Sequence, residues 1–202
     1  MQSIGNMIKA IIFDLGGVVI NFNNTPYYKY LSKEGGLSLK TIRHVIEDVT
    51  LPDFEKGKIT LQQFEKNTAI KLGMKQNRIR WLEFYKETVM FNYDVIELIT
   101  TLHKEYITGY LSNVDISRYL YTIKIMNMDL FDFKFASCYI KLRKPDIKIY
   151  KKVIKELKLP SKEIIFIDDR EENVNSAIKA GINGIHFKDR RTLDIELSKL
   201  GL

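Results

Sequence analysis

The sequence predicts an α/β protein, a three-layer sandwich on a parallel sheet with an all-helical segment inserted after the first strand. Three observations carry this. Short apolar runs, each closed by a polar residue or a glycine, recur along the chain. Helical patterns fill the intervals between them, and strands that alternate with helices imply parallel pairing with right-handed crossovers. The stretch from about Asn24 to Phe91 differs: it holds helical patterns and no convincing strand.

In chain order, the first apolar run covers 8–13 and stops at Asp14, followed by Leu15, Gly16 and Gly17. Residues 108–111 predict the second strand, ending at Ser112 and Asn113. The third is expected over 135–140, the fourth over 164–167 before Asp168 and Asp169, and the fifth over 184–187. Between them, 95–104 sets Ile96, Ile99 and His103 near one helix face, and 147–157 does the same for Ile147, Tyr150, Ile154 and Leu157. A short helix over 174–180 stops at Gly181. Within the insertion the helical patterns are 27–33, 39–49, 61–72 and 77–88. The expected division is a core of residues 7–23 and 92–202 and a helical cap of residues 24–91. Ligands of such sheets bind at the carboxyl ends of the strands, which places Asp14, Ser112, Asp168 and Asp169 on one rim.

A chain of 202 residues suits one large domain, or a core with a modest insertion, and 45% hydrophobic with 28% charged residues is an ordinary globular balance. The apolar runs are too short to span a bilayer, and no signal peptide is visible. Met7 fits a natural start, with residues 1–6 as a tail. A lone cysteine, Cys138, excludes an intramolecular disulfide, fits a reducing cytoplasm and sits among apolar neighbours as a packed thiol would. The net charge of +7 favours anionic partners. Because the lysines are scattered and no base-stacking motif accompanies them, a specific nucleic-acid partner is not expected. Composition leaves monomer or dimer open.

An aspartate after a strand is usually a turn or cap residue. Beside Asp14, however, Gly16 and Gly17 bare the backbone, so successive N–H groups can form an anion-binding nest next to a carboxylate. That suits a phosphate attacked by an aspartate through an aspartyl-phosphate. Ser112-Asn113 alone reads as an ordinary helix N-cap or turn. In Arg143-Lys144-Pro145-Asp146, the last two residues read as a helix start, or Lys144 neutralises phosphate oxygens as charge builds. Adjacent carboxylates closing a buried strand, Asp168 and Asp169, are costly unless paired or bound to a cation, and hard oxygen ligands suit Mg²⁺. The plainer alternative is a doubly capped helix. His44, His103 and His186 show no metal-ligand spacing, and Cys138 has no activating partner nearby.

Together, Phe13-Asp14-Leu15-Gly16-Gly17-Val18, Leu111-Ser112-Asn113, Arg143-Lys144-Pro145-Asp146 and Ile167-Asp168-Asp169 resemble the four motifs of the haloacid dehalogenase-like hydrolase superfamily. Order and spacing agree from about residue 8 to 190. Phe54-Glu55-Lys56-Gly57-Lys58-Ile59-Thr60, followed by Gln63-Phe64, is similar to the helical cap of the subfamily whose first motif reads Asp-Leu-Gly. The resemblance implies a Rossmann-like core and Mg²⁺-dependent hydrolysis of a small phosphorylated metabolite, with sugar phosphates among the candidates. Asp14 would be the nucleophile. Asp14, the carbonyl of Gly16 and Asp169 would hold the metal, with Asp168 supporting it directly, from behind or through water, and Asn173 close by. Leu15, Gly16, Ser112, Asn113 and Lys144 would bind the substrate, Ser112 and Lys144 also serving catalysis.

One position departs from the pattern. In the family's usual phosphatase motif, the residue two past the nucleophile is an aspartate that protonates the leaving group and later activates water. Gly16 keeps the carbonyl and lacks the side chain. Such acid–base help is commonly worth about 10²–10⁴ in rate, roughly 3–5 kcal/mol of barrier. Three functions are therefore expected alternatives: a phosphatase that obtains the proton elsewhere or does not need it, a catalytically weak phosphate-binding or regulatory relative, and a dehalogenase. The last is expected to carry a tyrosine two past the nucleophile and a cap arginine, of which Arg43 is the first in this chain.

Overall fold

The computed structural model describes residues 8–202, so the expected start at Met7 and the tail before it lie outside the described residues. Strand β1 (Ala10–Phe13) is followed by a short strand, β2 (Ile20–Asn21). Helices come next: α1 (Thr25–Gly35), α2 (Leu39–Arg43), a π-helical stretch (His44–Thr50), α3 (Leu51–Glu55), α4 (Leu61–Leu72) and α5 (Trp81–Thr88). Another short strand, β3 (Met90–Phe91), pairs antiparallel with β2. The remainder alternates: α6 (Tyr93–Leu102), β4 (Ile107–Ser112), α7 (Ile116–Ile125), β5 (Phe133–Ala136), α8 (Ser137–Ile140), α9 (Ile147–Leu157), β6 (Ile164–Asp168), α10 (Glu171–Lys179), β7 (Asn183–His186) and α11 (Arg190–Lys199).

The main sheet has five strands in the order β5-β4-β1-β6-β7, and every neighbouring pair is parallel. Successive residues of β1 face opposite sides, and both sides are covered, which is why the whole strand is apolar and buried. Ile11 and Phe13 join a cluster with Val95 and Ile99 of α6 and Leu193 and Leu197 of α11. Ala10 and Ile12 join one with Ile149, Tyr150 and Val153 of α9 and Ala177 of α10. The result is the three-layer, Rossmann-like α/β sandwich that the alternating pattern predicts.

The third strand is a correction. It runs over Phe133–Ala136, and the residues expected to finish it form the helical turn α8. The reason is Ser137, whose buried hydroxyl donates to the Glu55 carbonyl (2.7 Å) and accepts the Val114 N–H (2.9 Å). Those bonds draw the chain out of the ladder, and Lys141, at φ 61°, ends the turn. The fourth strand extends one residue further than its apolar run, so Asp168 belongs to β6 and pairs with His186.

Helices α1 to α5 build a core of their own, with Tyr27, Leu31, Ile42, Phe54, Phe64 and Trp81 packed together. Helix α4 starts at a reciprocal cap between Thr60 and Gln63. Among the described residues no helix is long and apolar enough to cross a membrane.

Candidate active site

Asp14 is the first residue past β1, and its N–H still reaches across to the Ile167 carbonyl at 2.7 Å, which holds it at the strand end. Its Oδ1 accepts the Leu15 N–H (2.7 Å) and lies 2.9 Å from Lys144 Nζ. The same ammonium is 2.6 Å from Asp168 Oδ2, so one lysine, itself only 1% exposed, bridges carboxylates from two neighbouring strands. Asn113 explains how Lys144 comes to be there. Its side-chain amide donates to the Lys144 carbonyl (2.9 Å), and its oxygen accepts the Lys144 N–H (2.8 Å). The end of β4 thus clamps the lysine's backbone, a use of the Asn113 side chain that its reading as an N-cap misses.

Asp168 has its oxygens occupied: Oδ1 accepts the Arg170 N–H and Asn173 Nδ2, both at 2.9 Å, while Oδ2 faces Lys144. Asp169 follows at the start of the next loop. Gly17 passes so near that a Cβ there would overlap the Asp169 carboxylate, and its φ of +77° is one L side chains rarely adopt. Carboxylate oxygens of Asp14, Asp168 and Asp169 lie within 4.8 Å of one another. The nest expected beside Asp14 is narrower than its glycines imply, because the Gly17 N–H is taken by the Ile20 carbonyl at 2.8 Å.

The charges oppose one another in a confined space. Burial pushes the Asp14 carboxyl up to about 7, Lys144 pulling it down and Asp168 adding to the rise. Burial also raises Asp169, again reinforced by Asp168. For Lys144 burial alone would lower the pKa, but Asp14 and Asp168 more than offset it and the ammonium is held charged. Buried carboxylates crowded in this way call for a cation.

A cavity of about 760 Å³ opens over this rim. It is bordered by Asp14, Leu15, Gly16, Ser112, Asn113, Lys144, Asp169 and Asn173, and on the helical side by Tyr28, Glu47, Leu51, Glu55 and Tyr85. Tyr27, Phe54 and Trp81 are core of the helical segment, whereas Tyr28 belongs to both that core and the cavity wall. Arg43 stacks on Tyr28 (5.6 Å to the ring centre) and is not among the residues bordering the cavity.

Sequence reasoning misses two features of the wall. Arg143 pairs with Glu55 through Nε (2.9 Å) and Nη2 (2.8 Å), tying the loop before Lys144 to α3. Arg118, on α7, lies with its guanidinium carbon 3.6 Å from the Trp81 ring centre and 4.7 Å from that of Tyr85, and Nη2 donates to Asn24 Oδ1 at 3.0 Å. Asp115 caps α7 and accepts the Trp81 indole N–H at 2.9 Å. The one local signal was Asp115 itself, an N-cap three residues before Arg118.

The description of the haloacid dehalogenase-like hydrolases matches residues 8–181. The chain belongs to that family. It is 30% identical over 196 residues to a sesquiterpene phosphatase of Aspergillus oryzae, spanning 95% of this chain and 96% of that protein. It is 25% identical over 206 residues to a D-ribitol-5-phosphate phosphatase of Bacteroides thetaiotaomicron, spanning 93% and 98%. A haloacid dehalogenase family enzyme of Bacteroides thetaiotaomicron, solved with magnesium and inorganic phosphate, superposes with a TM-score of 0.76 at 25% identity over 90% of this chain and 94% of that one. Family membership makes this chain a hydrolase, and its similarity to these relatives supports a phosphatase.

Proposed function

We propose that the protein hydrolyses a small phosphate monoester, with Mg²⁺, through an aspartyl-phosphate on Asp14. The observation that carries this reading is the Lys144 bridge, which fixes one oxygen of Asp14 at 2.9 Å beside a carboxylate cluster at the strand ends. Asp14 attacks phosphorus, the ester P–O bond breaks, and its electron pair leaves with the departing oxygen. Water then attacks phosphorus, the bond to Asp14 breaks, and inorganic phosphate is released with the water's proton passing to solvent. Lys144 supplies fixed positive charge to the phosphoryl oxygens as their charge builds, and Ser112 and the Asn113 N–H hold the group in line.

The donor set fits a hard divalent cation. Asp14, the Gly16 carbonyl and Asp169 would hold Mg²⁺, which when bound adds positive charge to the phosphoryl group. Asp168, with its oxygens already hydrogen-bonded, would act from behind them. Asn173 Oδ1, buried without a hydrogen-bond partner among the described residues, is a further oxygen at this rim.

The cavity is larger than a phosphate requires and leaves room for the organic part of a metabolite. Relatives named for a ribitol phosphate and a sesquiterpene support a small alcohol component. Residues 24–91 act as a cap whose inner face, with Tyr28, Glu47 and Leu51, chooses that component and excludes water on closing. A reducing compartment such as the cytoplasm suits the unpaired Cys138. Dehalogenation is not favoured, because it needs no such carboxylate cluster and Arg43 does not border the site.

The test is hydrolysis of 4-nitrophenyl phosphate and a panel of sugar phosphates, with and without Mg²⁺, beside Asp14→Asn. Metal-dependent turnover that disappears in the variant is expected. Phosphate binding by calorimetry with no turnover of any ester would instead identify a binding relative and overturn the proposal.

A further inference from the structure

The carboxylates on the helical side of the cavity and along its wall are balanced in pairs, with one exception. Glu55 is paired with Arg143, Asp115 with Arg118 and Glu172 with Arg170, and Asp48 lies 2.9 Å from His44. Glu47 borders the same cavity, and its one hydrogen bond among the described residues is to a neutral group: the Tyr28 hydroxyl donates to Oε1 at 2.8 Å.

That bond is built into the fold. Tyr28 is 2% exposed, with the Arg43 guanidinium carbon 5.6 Å from its ring centre and the Tyr27 ring 6.1 Å away. Burial first, and Glu47 second, raise the Tyr28 pKa, so the phenol keeps its proton and stays a donor. Glu47 itself is carried by the π-helical stretch, where the Leu51 N–H reaches back five residues to the Ile46 carbonyl. Glu47, Asp48 and Leu51 line the cavity from this wider turn, while Ile46 and Thr50 stay buried. The Thr50 hydroxyl secures the turn from within, donating to the Val45 carbonyl and accepting from Thr68, both at 3.1 Å. Helical irregularities of this kind are frequent at functional sites.

A carboxylate only accepts hydrogen bonds. Beside a cavity that must also admit a phosphate dianion, it adds an electrostatic cost for any ligand that gives it nothing in return. We propose that Glu47, held by Tyr28, selects the organic part of the substrate by accepting a hydrogen bond from a hydroxyl or ammonium on it and by repelling an acid group there. The proposal rests on the phosphatase reading above and narrows it to a substrate class: monoesters of polyols, sugars or amino alcohols, ahead of plain alkyl esters and of phosphates with a second acid group. The chemistry at phosphorus is the same for all of them, and Glu47 decides which ester is held against Asp14. Tyr28 is a positioning residue, acting through the carboxylate it fixes.

Two arms test it. The first measures kcat/KM with Mg²⁺ for glycerol 3-phosphate, erythritol 4-phosphate and ribitol 5-phosphate beside propyl, butyl and pentyl phosphate, so that length and donor groups vary separately. 5-Aminopentyl phosphate, 5-phosphoribonate and farnesyl phosphate add an ammonium, a carboxylate and a long apolar chain. At the best length the donor-bearing ester should exceed its alkyl counterpart at least about tenfold, the worth of one hydrogen bond to a charged group. 5-Phosphoribonate should fall below ribitol 5-phosphate by a similar factor. Glu47→Leu should bring the donor-to-alkyl ratio to about one. Glu47→Gln, which accepts without charge, should keep part of it and raise 5-phosphoribonate, and Tyr28→Phe should lower the ratio part way. Polyols ahead of alkyl esters assign the donor to a hydroxyl; 5-aminopentyl phosphate ahead while polyols are not assigns it to an ammonium. Alkyl or farnesyl phosphate turned over as fast as every donor-bearing ester overturns the proposal and leaves the phosphatase standing. So does a loss in Glu47→Leu shared equally by both series, the mark of a merely structural role. No metal-dependent turnover of any ester overturns the phosphatase reading.

The second arm reads binding alone, by calorimetry on the Asp14→Asn protein, and decides the role of Glu47 without turnover. Ribitol 5-phosphate or 5-aminopentyl phosphate should bind about tenfold tighter than pentyl phosphate, and adding Glu47→Leu should remove the difference. Equal affinities of all three while Glu47 is present overturn its assigned role.

Discussion

Lys144→Met removes the charge at the centre of the rim while keeping an aliphatic side chain in the space beside Phe166. In the native protein the ammonium lies 2.9 Å from Asp14 and 2.6 Å from Asp168, two carboxylates only 7% and 0% exposed. Deleting one partner of a buried pair costs about 3–5 kcal/mol, because the remaining charge is stranded. Asp168 keeps its bonds from Arg170 and Asn173, so most of the loss should come from the repulsion of two carboxylates that have lost their common counter-ion. Urea unfolding followed by circular dichroism, in chelator at pH 8, should show a loss of about 3–5 kcal/mol. Asp168→Asn in the same background should restore at least about 1 kcal/mol, since it removes one stranded charge. The deficit should also narrow as pH falls. A carboxyl whose folded pKa is raised, as burial raises Asp14 to about 7, binds its proton more readily folded than unfolded, so acid relieves the strain, and without the ammonium that pKa rises further. A loss below about 1 kcal/mol, or strict additivity of the two substitutions, would refute the view that the bridge holds the rim together.

Gly17→Ala should retain the fold but weaken Mg²⁺ binding by about 10–100-fold in calorimetry, because its methyl group would overlap the Asp169 carboxylate at a backbone φ of +77°. Unchanged metal affinity would count against Asp169 as a ligand. Glu65 is pushed up to about 7 by burial and by Glu83, so the folded state holds its proton beyond the ordinary 4.5 and stability is lost as pH rises from there through 7. Glu65→Gln should therefore melt higher than the native protein at pH 8 and at the same temperature near pH 4; no gain at pH 8 contradicts this. Cys138 is buried with its thiol pushed up to about 11, so a thiol reagent should modify it only on unfolding, and rapid reaction of the folded protein would show the burial to be incomplete.

The parts of the fold legible in the sequence are those whose signal is local. β1 and β6 are covered on both faces and therefore read as unbroken apolar runs that stop where the rim begins. The third strand is misplaced because residues 135–140 stay apolar while Ser137 is captured by Glu55 and Val114, partners that no window around it contains. β2 and β3 are too short to show any alternation. The site divides in the same way. Asp14, Ser112, Lys144, Asp168 and Asp169 each close or follow a recognisable element, and the structure brings them to one cavity or its buried floor. The side-chain use of Asn113, the Glu55–Arg143 pair and Arg118 depend on chain segments 31 to 94 residues apart, a separation at which spacing carries no information.

The short ladder between β2 and β3 pairs Ile20 with Phe91 and Asn21 with Met90, and Asn92 continues it by donating its N–H to Val19 and its side-chain amide to Val18. Five helices thus leave and rejoin the sheet domain through two passages lying side by side. A segment inserted at such a stem can be exchanged as a cassette, since its ends need only meet one small, fixed gap. If the rim performs the chemistry and the helical wall selects the substrate, as proposed, the two can diverge independently, and grafting another helical segment between Asn21 and Met90 becomes a direct route to new substrates on an unaltered floor.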